Sequence, residues 1–170
     1  MRPMKDVVDD LLAGWAGQRP ELDCSALGVV VRIQLLGKLL GEGAEEALAE
    51  FGLKLWEYDV LSALRRQGAP FELLGSDLAR ESMLTSGTVT TRIDGLEKRG
   101  LVERRRDAKD RRAVRIRLTK AGLQTIDEAI SARLARAEQQ LGVLPRKERQ
   151  ALSSTLRKVL IGSVGEQRAA

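Results

Sequence analysis

The chain has 170 residues, 43% hydrophobic and 31% charged, with a net charge of +5. That length suits one ordinary domain, or a small domain with a helical extension, and the composition supports a folded core. Histidine is absent, cysteine occurs once and aromatics make up 3%, which argues against a histidine base, a metal cluster, an internal disulfide or stacking on single strands. No apolar run of about 18 residues marks a membrane span, and the N-terminus lacks an apolar signal core, so the expected location is the cytoplasm. There is no P-loop and no Gly-x-Ser-x-Gly, and Gly41-Glu42-Gly43 lacks the third glycine of a dinucleotide fingerprint and ends a helix instead of following a strand. No enzyme activity, catalytic residue, cofactor or metal site is expected.

Met4, Val7, Val8, Leu11, Leu12 and Trp15 recur at helical spacing, and residues 17–20 break this first helix. It is too short to stand alone in water, so its stripe must pack on something. Trp15 is core or interface by default, and its indole N–H would also suit a ligand pocket. Cys24 reads as a small buried or half-buried residue. Asp23 or Ser25 can cap a second helix that runs to about Phe51, with Gly52 closing it. Leu27, Val30, Val31, Leu35 and Leu39 form its apolar side, while Gly41 and Gly43 predict a kink or break.

A third helix spans residues 55–67, with Val60, Leu61 and Leu64 inward. Trp56, Asp59 and Ala63 form a second stripe. Asp59 is either an exposed acid, alone or paired with an arginine, beside a partly buried tryptophan, or one wall of a small-molecule site. Residues 68–70 turn the chain, Phe71-Glu72-Leu73 can form a very short strand, and residues 76–81 a short helix.

The stretch from Leu84 to Thr119 carries the main signal. Val89, Ile93 and Leu96 fall on one helical stripe, Thr85 or Ser86 can cap the helix, and Gly100 can end it. At about 100° per residue, Gly87 and Thr91 lie opposite that stripe and Thr88 and Thr90 flank it. Small hydroxyl side chains on an outer helix face suit close approach to phosphates and base edges. Val102, Val114, Ile116 and Leu118 then alternate with charged residues around a polar turn, which predicts a two-stranded hairpin. Residues 98–120 hold 11 Lys/Arg against 3 Asp/Glu, a net +8, so the rest of the chain is net negative. Charge this localised, Arg105 included, points to nucleic-acid phosphate. Two short helices joined by a tight turn and followed by a basic hairpin describe a winged helix-turn-helix.

Thr119 can cap a long helix whose stripe is Ile126, Ile130, Leu134, Ala137 and Leu141. Residues 142–145 interrupt it, and Pro145 suits the first turn of a last helix bearing Leu152, Leu156, Val159 and Leu160. The tail after Gly162 is expected to fray. The fold class is therefore mainly α with a small β hairpin. Residues 54–118 would form a winged helix-turn-helix, and residues 1–53 and 119–165 a helical dimerisation lobe. Two copies packing these outer stripes would form a symmetric homodimer.

Residues 73–122 resemble the MarR (multiple antibiotic resistance regulator) family. The resemblance rests on Leu-x-x-x-Leu-Ala-Arg, Thr-Ser-Gly-Thr-Val-Thr-Thr-Arg-Ile-Asp-x-Leu-Glu-x-x-Gly-Leu-Val-Glu-Arg and Asp-x-x-Asp-Arg-Arg-x-Val-x-Ile-x-Leu-Thr-x-x-Gly. It implies a homodimer on a pseudo-palindromic operator, with a ligand between the lobes changing half-site spacing. It also implies that Arg112, steadied by Asp110, enters the minor groove, with Arg111 on phosphate. With Thr85, Ser86, Thr88, Thr90, Thr91 and Arg105 these are the expected DNA-binding residues.

Trp15, Asp59, Arg92 and Arg104 further resemble marks of the urate-responsive, PecS-like branch. That resemblance implies a ligand-binding or coupling role for all four and an anionic or aromatic small-molecule effector. Arg92 lies only about 60° from the centre of the inward stripe, so it can turn toward a ligand or toward DNA, with Asp59 as a partner. The placement of Cys24 and the single tyrosine, Tyr58, depart from redox-sensing members. The expected function is a ligand-responsive, sequence-specific transcriptional regulator, a repressor released by a small acidic or phenolic effector. A non-specific architectural DNA-binding protein is the alternative, and a degenerate DNA module serving another interaction a third reading.

Overall fold

The computed structural model describes residues 5–81, 86–107 and 113–169. Helix α1 (Val7–Gln18) starts where the Asp6 carboxylate accepts from the Val8 and Asp9 N–H groups and the Asp9 carboxylate accepts from the Asp6 N–H, a reciprocal cap that satisfies otherwise orphaned donors. It packs on α2 (Ser25–Ala49), where Arg32 holds Asp6 at 2.8 Å and Asp9 at 2.7 Å.

Helix α2 is continuous through Gly41 and Gly43, which corrects the expected break there. Gly43 is buried where α6 (Lys120–Gln140) crosses, and a Cβ on it would overlap Gln140 and Arg136. The glycine leaves room for these two side chains of α6 instead of ending α2. The cap position falls on Cys24, without a side-chain bond; the Asp23 carboxylate accepts from the Ser25 N–H at 2.9 Å.

The middle of the chain is α3 (Leu55–Arg65), β1 (Glu72–Leu74), α4 (Gly75–Glu81), α5 (Ser86–Lys98), β2 (Val102–Arg106) and β3 (Val114–Leu118). The hairpin β2–β3 takes β1 as a third strand, in the order β1-β3-β2, all antiparallel. Leu73 stands opposite Ile116, and Val102 opposite Leu118. Leu61, Leu64, Leu78, Ile93, Leu96, Ile116 and Ile126 pack into one buried core. Gly100, at φ 69°, reverses the chain after α5 so that the Leu101 N–H reaches the Leu96 carbonyl, a left-handed turn that costs glycine little. Thr119 caps α6 as expected: its hydroxyl accepts from the Gly122 N–H at 3.0 Å and donates to the Gly100 carbonyl at 2.6 Å.

The inner face of α6 differs from the stripe read in the sequence. Ile126 and Ala129 are buried, but Leu134 is 64% exposed and Arg133 is half-buried. Steps of four on a 3.6-residue helix drift by about 40° each, so the stripe that begins at Ile126 passes through Ile130 to Arg133. Helix α7 (Arg146–Ala169) continues beyond Gly162, where fraying was expected. Its Leu152, Leu156, Val159 and Leu160 are exposed, as are Val30, Ile33 and Leu39 of α2. A groove of about 600 Å³ runs along this apolar surface, walled by Ile33, Leu141, Leu156 and Leu160 among others. No helix among the described residues is long and apolar enough to cross a membrane.

Candidate DNA-binding face and adjoining cleft

Helix α5 presents three different faces. Ile93 and Leu96 are buried in the core, which fixes its rotation, and Thr90 and Thr91 are exposed. Ser86 and Thr88 lie in its first turn. Thr85 lies outside the described residues, as do Asp110, Arg111 and Arg112 of the wing. Beyond α5 the wing strands carry Arg105 and Arg106, both exposed.

The base of the wing is organised by charge. Arg105 stands directly opposite Arg115, a like-charge pair that destabilises a hairpin unless each is neutralised. Glu103 accepts from Arg105 at 2.8 Å, while Arg115 bonds the buried carboxylate of Asp107 and lies 3.5 Å from Glu72. These carboxylates hold the outer ends of β2 and β3 together. Arg106 carries no ion pair among the described residues. It is an exposed cation at the end of β2, on the opposite face of the strand from Arg105.

Arg104 points to the opposite side of α5 from Arg92. Its guanidinium bonds Asp94 at 2.6 Å and also Glu97, and its backbone N–H donates to Glu97. Thr90, Asp94 and Glu97 lie about 140–160° round the helix from Arg92. Arg104 lines a cavity of about 420 Å³ with Ser76, Thr90, Ile93, Val114 and Ile116.

Arg92 turns toward α3 and stacks over the Trp56 ring at 4.9 Å, where the ring face attracts the cation. Further along α5, just past its end, Arg99 bonds the buried Glu57 at 2.7 Å. Asp59 follows Trp56 by three residues. Its pKa is raised: desolvation by its packed surroundings outweighs Arg133, Arg66 and Arg92, and Glu45 adds to the rise. Asp59 is nonetheless exposed to solvent, which screens part of this effect. Tyr58 beside it is pushed up as well, chiefly by burial. Arginines from α5, α6 and the end of α3 thus act on one carboxylate whose charged form is disfavoured, an arrangement suited to an anion.

The structure therefore brings Asp59 and Arg92 together and places Arg104 elsewhere, which divides the four-residue set expected from the sequence. Trp15 is 45% exposed on α1 and makes no ring contact or hydrogen bond with Asp59 or Arg92 among the described residues. Arg133 and Arg66 were not anticipated. An arginine at the i+7 position from Ile126 is the signal for Arg133, hidden because the drifted stripe put Leu134 there instead.

Residues 51–113 match a family model described as MarR family. The chain is 28% identical over 152 residues to the HTH-type transcriptional regulator PecS of Dickeya dadantii (strain 3937), covering 89% of this chain and 92% of the relative. It is 33% identical over 115 residues to the HTH-type transcriptional regulator YkoM of Bacillus subtilis (strain 168), covering 67% and 72%. AbsC, a MarR family transcriptional regulator from Streptomyces coelicolor, shares the fold with a TM-score of 0.76 at 23% identity, over 85% of this chain and 97% of that one. The organohalide-sensing regulator RdhR-CbdbA1625 in its 2,4-dichlorophenol-bound form matches with a TM-score of 0.72 at 21% identity, over 94% and 86%. A mutant MarR from E. coli complexed with operator DNA matches with a TM-score of 0.70 at 20% identity, over 92% and 99%.

Proposed function

This chain belongs to the MarR family of DNA-binding transcriptional regulators, and from that premise we propose that it is a homodimeric repressor released from a pseudo-palindromic operator by a small acidic or phenolic effector. The observation that carries this reading is the stacking of Arg92, a residue of the helix that faces DNA, on Trp56 beside Asp59. A ligand that competes for Arg92 acts directly on that helix. Differential affinity for two arrangements of the dimer is what a ligand needs to shift their populations. Relatives supply parallels: one MarR structure holds operator DNA, and one regulator holds 2,4-dichlorophenol.

In this reading residues 54–118 contact DNA, and residues 1–53 and 119–165 form the dimer lobe through the exposed apolar faces of α2 and α7. Thr88, Thr90 and Thr91 face the major groove, with Thr85 and Ser86 near phosphate. Arg112, steadied by Asp110, enters the minor groove, and Arg105, Arg106 and Arg111 meet phosphates. Trp15 joins the effector site only with help from the second copy, since its own protomer leaves it on α1 against α2. Footprinting on DNA flanking the gene tests the proposal: a short protected inverted repeat that is lost on adding salicylate or urate is expected. Uniform coverage of any duplex, or protection that no small acid relieves, would refute it.

A further inference from the structure

We propose that Arg133 of α6 is the second cation of the effector site, binding the anionic group of a small organic acid together with Arg92. The inference rests on the effector reading above and replaces Arg104 in it. Arg104 is engaged by Asp94 and Glu97 on the far side of α5, so an acid lying between α3 and α5 needs a different partner.

The register of α6 against α3 supplies one. Arg65 bonds Asp127 at 2.6 Å and so fixes one point where the two helices meet. Running back along α3 from Arg65 to Tyr58 covers seven residues, and forward along α6 from Asp127 to Arg133 covers six. At 1.5 Å per residue these are lengths of about 10 and 9 Å, matched spans that put Arg133 level with Tyr58 and Asp59 when the two helices run in opposite directions, as the action of its charge on both residues requires. The rotation agrees with this placement. Arg133 stands four residues after the buried Ala129 and seven after the buried Ile126, which turns it inward, whereas Arg136 faces α2 and pairs with Glu46.

Arg133 is half-buried and makes no hydrogen bond or ion pair within bonding distance among the described residues. Its charge acts on both Tyr58 and Asp59, and Arg66, Arg92 and Glu45 also act on Asp59. Two guanidiniums from different helices, both acting on Asp59, match a carboxylate or an acidic ring oxygen of a ligand. A ligand held so would bridge α6 of the dimer lobe to α5 of the DNA lobe.

The test is calorimetric titration of the full-length protein with salicylate, urate and salicylamide, the last being the uncharged amide of the salicylate ring. Arg133→Gln should weaken salicylate roughly tenfold or more, the scale of one charge-assisted hydrogen bond, and should reduce the preference for salicylate over salicylamide. Arg133→Lys should restore most of that preference. If Arg133→Gln binds salicylate as wild type does while Arg92→Gln does not, the assignment of Arg133 fails and the effector reading stands. If wild type binds neither acid up to millimolar concentration, the effector reading fails and this inference with it. Equal loss in the Gln and Lys variants, accompanied by lowered melting temperatures, would mark Arg133 as structural and overturn the proposal.

Discussion

Removing the Arg99 guanidinium should destabilise the protein through a carboxylate that stays behind. The Glu57 side chain is 7% exposed; one of its oxygens accepts from Arg99 at 2.7 Å and the other from the Lys54 N–H at 2.9 Å. Arg99 also donates to the Gly52 carbonyl at 3.0 Å. In Arg99→Met, Glu57 keeps one N–H donor and loses its counter-charge. A fully buried carboxylate stripped of its partner costs about 3–5 kcal/mol. Arg99 is itself 40% exposed, so water can follow it out, and about 2 kcal/mol is the better figure. For a chain of this size that lowers the melting temperature by about 4–8 °C.

The double variant Arg99→Met/Glu57→Met separates the pair from mere packing. It removes the stranded charge, so its cost should fall short of the sum of the singles by about 1–2 kcal/mol. Urea and thermal unfolding at one fixed protein concentration give both numbers, since association makes apparent stability concentration-dependent. An Arg99→Met protein that melts within about 1 °C of wild type, or singles that add within about 0.5 kcal/mol, would refute the reasoning.

Three other outcomes are expected. Gly122→Ala should cost about 1–3 kcal/mol, because its Cβ would overlap the Leu101 carbonyl and backbone cannot step aside as a flexible side chain can; unchanged thermal unfolding would contradict this. Asp59→Asn should melt higher than wild type at pH 7. The Asp59 pKa is raised in the folded state, chiefly by desolvation, so its contribution to stability is complete below its ordinary value of 3.8 and lost as pH rises through its folded-state value. The advantage of Asn should therefore vanish on acidification, and a variant that melts lower at pH 7 would reverse the sign. Leu160→Glu places a charge on the exposed apolar face of α7; sedimentation should show monomers, and operator binding should fall with dimerisation, whereas an intact dimer would move the interface elsewhere.

Elements were legible in the sequence where local chemistry determined them. Thr119 caps α6 because a hydroxyl three residues before Gly122 can reach its N–H, and Gly100 ends α5 because the next turn needs positive φ. The alternation of Val114, Ile116 and Leu118 set the wing. What could not be read was which side of each helix a charge would take. Periodicity gives a stripe, but on α6 a drift of about 40° per four-residue step moved the inner face from Leu134 to Arg133. Glycine is equally ambiguous alone: Gly43 reads as a helix breaker until a crossing helix occupies the space beside it. Arg104 and Arg92 both looked like positive charge in or beside α5, and only the carboxylates at Asp94 and Glu97 separate them.

That separation bears on how a ligand signal would travel. Helix α5 is held at the wing by Arg104 through Asp94 and Glu97, and at α3 by Arg99 through Glu57 and by Arg92 on Trp56. The first two attachments are charge-assisted hydrogen bonds, whereas stacking on an aromatic face at a partly exposed site contributes only about 0.5–1 kcal/mol. A ligand that draws Arg92 away therefore breaks the weakest of the three and leaves α5 fastened to the wing through Arg104 and to α3 through Arg99. Helix α5, the wing and α3 should then shift together as one body. A change in the spacing between two DNA-reading units fits such a motion better than local melting of the recognition helix. Hydrogen exchange would tell the two apart, because α5 amides between Ile93 and Lys98 should keep their protection in the effector-bound protein.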